Sequence, residues 1–365
     1  MAERTVTPTG APLSLHLHRE RGGPTIGVEP VAGRDLLDAL AELWFQDGSV
    51  EATPLADVEA TVRLVEREDP EVGRYTAGFE LHRRGSGGTP AVRYFARESL
   101  EHVAARGARR LVEEGRLEET ELYYYGLAQG EAPDALVRGP EGRGVLEVAE
   151  VPIRRVLDLV LEDEDKEAVG VADDAYPVFF TRSARRRAER VSRKGGDVSP
   201  PVETGGLLLG PLCRCPETGQ VFAVVEQVIE ATDSEATKYS LTYSGPTWAR
   251  IQAMLRARRA QPETRHHRVL GQCHGHNFLP FEGAEPCEAC ALVAVCTRSS
   301  AYLSSEDRTW CRAVFSGEPW QLSQVFGLDA RGRPTETFYG QRGGALARRG
   351  YRVIDEPGDE WLTRI

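Results

Sequence analysis

Lysine is nearly missing from this 365-residue chain: Lys166, Lys194 and Lys238 are the only three, and arginine supplies the rest of the 45 positive charges. A GC-rich coding bias explains such a skew, and avoidance of self-modification by a protein that handles lysine-linked modifiers is a second reading. Cysteine is absent from the first 212 residues, so that half can host no thiol chemistry; all seven cysteines fall between Cys213 and Cys311. No stretch approaches the roughly 20 continuous apolar residues of a membrane helix. The opening Met1-Ala-Glu-Arg-Thr-Val lacks the apolar core of a secretion signal, and the expectation is a cytoplasmic protein. In a reducing compartment its thiols serve as metal ligands, catalytic groups or core residues rather than disulfides.

Positive charge is also in deficit, 45 Lys+Arg against 56 Asp+Glu for a net −11. That argues against a general nucleic-acid binder, which needs a positive surface, although the arginines of Ser183 to Arg193 leave a narrower association open. The deficit is uneven: residues 1–170 carry a net −13 and the remainder a net +2.

The length calls for two domains. Residues 1–12 read as a frayed tail. Leu36 to Phe45 has helical spacing, Arg74 to Leu81 and Ala91 to Phe95 read as strands about a Gly-rich turn, Glu98 to Glu114 as a helix, and Glu121 to Ala128 as a tyrosine-rich strand. Val145 to Leu161 reads as a strand and a helix. This gives an α+β domain over 1–165, of unassigned role. The charge cluster Glu162 to Glu167 and the loop Lys194 to Pro201 mark a boundary, and a second domain is expected over 171–355. Within it Val178 to Phe180 is a strand, Ser183 to Arg193 a basic helix, Phe222 to Ile229 a strand and Pro246 to Arg259 a helix. Gln321 to Leu328 and Thr335 to Tyr339 flank a hairpin-like turn.

Three segments of the second domain carry chemistry. In Glu203-Thr-Gly-Gly-Leu-Leu-Leu-Gly210 a carboxylate precedes two glycines and an apolar strand. In Val269-Leu-Gly-Gln-Cys-His274-Gly-His276-Asn277 the period-2 alternation of a strand puts both histidines on one face and Cys273 and Gly275 on the other. A pair of imidazoles on one face suits zinc, and also suits ordinary hydrogen bonding. In Tyr302-Leu-Ser304-Ser305-Glu306-Asp307 the Ser-x-x-Asp spacing reads as a capping box before a helix over Asp307 to Phe315. Such a cap does not prevent Asp307 from ligating. Two histidines and a carboxylate leave a fourth position open, the arrangement of catalytic zinc.

Together, Glu203, His274-x-His276 and Ser304-x-x-Asp307 resemble the JAMM motif of the JAB/MPN metalloprotease family, Glu…His-x-His-x7-Ser-x2-Asp. The resemblance covers the second half of the chain. It implies an α/β fold, a mixed cytidine-deaminase-like sheet with flanking helices, behind the α+β N-terminal domain. It implies Zn²⁺ held by His274, His276 and Asp307, Glu203 as general base and Ser304 as oxyanion donor. The implied activity is that of a deubiquitinase-like isopeptidase or peptidase cutting after the C-terminal glycine of a ubiquitin-like protein. Activating and conjugating enzymes of the same pathway are implied as further partners. A hydrolase of sulfur-carrier adducts and a catalytically silent scaffold are the alternative readings.

The chain departs from the pattern in one large respect. Twenty-seven residues (277–303) separate His276 from Ser304 instead of seven, Asn277 stands where many members have proline, and Gly275 where many have serine. This insert carries Cys287-Glu-Ala-Cys290 and Cys296, a half-knuckle that could hold a second, structural zinc with Cys273 as fourth ligand. Cys213, Cys215 and Cys311 are other candidates, and reduced thiols packed as small apolar groups are the alternative.

Overall fold

The computed structural model describes residues 10–46, 53–70, 73–83, 91–133, 135–140, 146–161, 176–232, 234–238, 240–262, 264–280, 295–315 and 318–358. The chain divides into two compact units. One is Met1–Leu146 with the short pieces Gly317–Pro319 and Arg342–Ala345; the other is Glu147–Ser316, Trp320–Gln341 and Leu346–Ile365.

The first unit is built from β1 (Leu13–His18), β2 (Thr25–Val31), α1 (Leu37–Gln46), β3 (Glu59–Asp69), β4 (Gly73–Arg83), β5 (Val92–Ala96), α2 (Glu101–Glu113), β6 (Tyr124–Gln129) and β7 (Leu136–Arg138). Its strands form two antiparallel sheets, ordered β2-β1-β6 and β5-β4-β3-β7. In β1 every second residue, Leu13, Leu15 and Leu17, is fully buried, the period a half-buried strand requires. Leu17 packs with Ala108 and Leu111 of α2. The sequence reading passed over β1 and the eleven-residue β3, whose apolar positions are interleaved with charges. Glu42 of α1 is 1% exposed and fully answered. Arg93 Nε donates to it at 2.9 Å, and the N–H groups of Gly343 and Gly344 donate at 2.8 and 2.7 Å. Both glycines have positive φ, 59° and 76°, which turns successive N–H groups toward one anion.

The second unit contains β8 (Ala149–Glu150), α3 (Ile153–Leu157), β9 (Val178–Thr181), α4 (Arg182–Arg193), β10 (Gly205–Gly210), β11 (Leu212–Arg214), β12 (Val221–Val225), β13 (Gln227–Glu230), β14 (Glu235–Ala236), β15 (Leu241–Thr242), α5 (Gly245–Arg259), β16 (Arg268–Gly275), α6 (Ser305–Phe315), β17 (Leu322–Leu328), β18 (Pro334–Arg342), β19 (Ala345–Arg348) and β20 (Arg352–Ile354). It is mixed α/β. A six-stranded sheet runs β13-β10-β16-β17-β18-β19, a five-stranded sheet runs β20-β9-β12-β11-β8, and β14 pairs with β15. In the six-stranded sheet β16 and β17 are parallel while β10 is antiparallel to both β13 and β16.

The second unit begins earlier than the sequence boundary at 165/171. Ala149 pairs with Cys213, and Val151 and Val156 pack against Phe179 and Phe222, so residues 147–161 belong to this core. The segment read as one strand, Phe222 to Ile229, is two. The chain changes sheets at Glu226, whose N–H bonds to Leu209 O at 2.9 Å.

The six-stranded sheet has helices on both faces. Helix α4, capped by Thr181 Oγ1 accepting from Ala184 N at 3.2 Å, lies against β10, β13, β16 and β17. On the other face Leu207 and Leu209 pack with Ile251 and Leu255 of α5 and Phe315 of α6. Each such leucine contributes about 1.5–3 kcal/mol of burial. This layering fixes which side of β16 meets α6.

Candidate metal centre

Strand register builds the site. Gly205 of β10 lies opposite His274 of β16, and a Cβ on Gly205 would sit 2.1 Å from Cys273 O. The glycine pair after Glu203 therefore lets β10 close on the histidine strand. Alternation sends Cys273 and Gly275 to α4. There the Cys273 thiol meets the Ser192 hydroxyl and the Gly206 N–H, and a Cβ on Gly275 would lie 2.0 Å from Ser192 O. Serine at 275 would be excluded by α4.

The opposite face gathers the polar groups. His274 Nε2 and His276 Nε2 are 3.2 Å apart. Asp307 Oδ1 is 3.3 Å from His274 Nε2, and Asp307 Oδ2 is 3.6 Å from His276 Nε2. Glu203 Oε1 lies 3.4 Å from His276 Nε2. Glu203, His274 and His276 are 2%, 2% and 3% exposed. Ligand atoms of His274, His276 and Asp307 all fall within 4.8 Å of one another, and this is the one such cluster among the described residues.

Two devices orient the ligands. Ser304 caps α6: its Oγ accepts from Asp307 N at 3.1 Å, and Asp307 Oδ2 in turn accepts from Ser304 N at 2.9 Å and Ser304 Oγ at 2.8 Å. This reciprocal capping box pins the carboxylate. His276 Nδ1 donates to Ser300 O at 2.8 Å, which leaves Nε2 as the lone-pair nitrogen, the usual outer-shell arrangement of a metal-bound imidazole.

The electrostatics favour a cation at the centre. A lone-pair nitrogen and two carboxylates converge with no lysine or arginine reaching in among the described residues. Burial pushes the Glu203 carboxyl up to about 8, with Asp307 and Glu306 adding to the rise and His276 opposing it. Burial also acts upward on Asp307, but charge and hydrogen bonding from His274 and His276 outweigh it and hold this carboxyl well below its ordinary range. His274 Nδ1 is buried without a hydrogen-bond partner in the structure. Two imidazoles, one carboxylate and a second carboxylate at the rim form a donor set that fits a divalent transition metal.

The insert's closing end is tied to the site by residues that sequence reasoning missed. Ser300, fully buried, donates from Oγ to His276 O at 3.1 Å and accepts from Leu328 N at 2.8 Å, and its own N–H donates to Leu328 O at 2.9 Å. Asn277 Nδ2 donates to Val202 O at 2.9 Å and Ser192 O at 3.2 Å. Phe278 stacks on His276 at 5.5 Å between ring centroids, and Tyr302 meets it edge-on at 5.3 Å. Thr237 O accepts from Glu203 N at 2.8 Å, fastening the turn after β14 to the carboxylate segment. A buried histidine's need for an Nδ1 acceptor is the only sequence signal that foreshadows Ser300.

The cysteines behave differently. Cys287 and Cys290 lie outside the described residues. Cys296 is half-buried. Cys273 is buried against α4, its thiol pushed up to about 12 by burial, and joins no cluster of three metal-ligating groups among the described residues. Cys213 and Cys215 pack in the core with Phe179 and Phe222, and the Cys311 thiol accepts from Gln272 Nε2 at 3.3 Å. No described helix is long and apolar enough to cross a membrane.

No family model matches the chain, and no curated protein matches it. Among solved structures it is similar to a protein from Desulfitobacterium hafniense, with 16% identity over 50% of this chain and 97% of that one and a TM-score of 0.30. It is also similar to a protein from Salinibacter ruber, with 15% identity over 49% and 92% and a TM-score of 0.23.

Proposed function

We propose that the second unit is a JAB/MPN-type zinc peptidase that hydrolyses the amide bond after the C-terminal glycine of a ubiquitin-like protein. The observation that carries this reading is the convergence of His274, His276 and Asp307 with the buried, otherwise unpartnered Glu203 beside them. His274, His276 and Asp307 would hold the ion. When bound, zinc would supply a Lewis acid that polarises the carbonyl and acidifies water.

The protein's own groups do the rest. Glu203 takes a proton from the attacking water and delivers it to the departing amine. Its burial keeps it basic enough for the first task and acidic enough for the second. Ser304 has one hydroxyl proton, which Asp307 Oδ2 holds in this structure. Turning that hydroxyl toward a developing oxyanion leaves Asp307 Oδ2 its bond from Ser304 N, so Ser304 can serve the tetrahedral centre without freeing the ligand. Asp307 stays ionised and Ser300 keeps His276 in its ligating tautomer.

The test is cleavage of a fusion in which a ubiquitin-like protein ending in Gly-Gly precedes a reporter. Cleavage after the second glycine, lost in Glu203→Gln, supports the reading; an intact fusion with fully metal-loaded protein opposes it.

A further inference from the structure

The first unit carries a cleft of its own, about 500 Å³, at the mouth of its two sheets. Arg21 and Gly22 come from the β1–β2 turn, His18 from the end of β1, Tyr75 from β4, Arg97 and Glu98 from the start of the α2 segment, and Tyr124, Tyr125 and Gly126 from β6. That volume lies within the range of small-molecule sites.

The lining runs against its surroundings. Residues 1–170 carry a net −13, yet the cleft collects two guanidinium groups and an imidazole against one carboxylate, Glu98. Arg97 meets Glu98 through Nε at 3.1 Å, and the exposed Arg21 has no ion pair with a described residue. His18 Nδ1 bonds to Gly23 O at 2.7 Å, which fixes the ring and leaves Nε2 as its remaining polar atom. Three phenol rings share the walls, Tyr124 being 47% exposed. Nothing in the fold of this unit requires aromatic rings at such a position: its apolar core is built from leucine, alanine and phenylalanine.

Arginines recognise phosphate by charge and fork geometry, and aromatic faces stack on planar rings. We infer that this cleft binds a phosphorylated ligand with a planar ring, of mononucleotide size. Its phosphate sits on Arg21 and Arg97, its ring on the tyrosines, and Glu98 accepts from a hydroxyl or amine. This site is independent of the metal centre.

The experiment is isothermal titration of the full chain at low salt with AMP, GMP, CMP and UMP, each against its nucleoside and against inorganic phosphate. At least one mononucleotide is expected to bind about tenfold or more tightly than either fragment. Arg21→Ala/Arg97→Ala is expected to weaken it at least about tenfold, and Tyr124→Ala several-fold, with thermal midpoints unchanged because Arg21 and Tyr124 are exposed. The inference is overturned if none of the four binds at millimolar concentration, if phosphate alone binds equally well, or if the arginine variant binds like the native chain.

Discussion

Glu42 and Glu203 are equally buried, 1% and 2% exposed, and have opposite surroundings. Glu42 receives the Arg93 guanidinium and two backbone N–H groups, so its charge is neutralised where it lies. Glu203 receives no described hydrogen bond and faces only His276 Nε2 at 3.4 Å. Burying a carboxylate without partners is costly, and a fold that wanted Glu203 only for stability would replace it. Burial alone does not separate a structural acid from a reactive one; the partners do.

Breaking each glutamate should therefore fail in a different way. Glu203→Gln should lower cleavage by about 10²- to 10⁴-fold with metal content and thermal midpoint preserved, as read by fusion-substrate kinetics and metal analysis. Glu42→Gln should leave Arg93 charged and half-answered, costing about 3 kcal/mol of stability in urea denaturation, without lowering the metal stoichiometry of protein that remains folded. Equal stability loss in both variants would erase the distinction.

Ser300→Ala removes the acceptor for Leu328 N and the donor to His276 O, a loss of about 1–3 kcal/mol. Because Ser300 O orients His276, metal affinity measured by competition with a chromophoric chelator should fall about tenfold. An unchanged affinity would reduce Ser300 to a loop anchor.

The smallest effect is on pH dependence. In the metal-free protein Glu203 titrates near 8 instead of its ordinary 4.5, so the folded state holds this proton more tightly than the unfolded chain does. Its contribution to stability is therefore full below about 4.5 and declines as pH rises toward about 8. Glu203→Gln should flatten that decline in thermal melts of metal-free protein, and Glu42→Gln should not. An identical decline in both variants would assign it to other groups.

The site was legible in sequence because each of its parts is local. Alternation along β16 set the faces of His274, His276 and Cys273, and the Ser-x-x-Asp spacing set both the start of α6 and the cap on Asp307. The helices α1, α2, α4 and α5 were legible for the same reason. What escaped depends on distant partners. Strand β3 exists through its pairing with β4 and β7, Glu226 splits a continuous apolar run because two sheets claim its halves, and residues 147–161 join the second unit through Cys213 and Phe222. Ser300 is one serine in a polar stretch, distinguished only by the chain's return to His276.

The central claim is that the His274–His276–Asp307 cluster holds a metal ion. Metal content by mass spectrometry, on protein purified without added metal, tests it most directly when the native chain is compared with His274→Ala/His276→Ala. The account predicts that the variant loses one equivalent of zinc, leaving whatever the cysteines bind. A metal content unchanged by the double substitution would contradict it and would favour a scaffold without a catalytic metal.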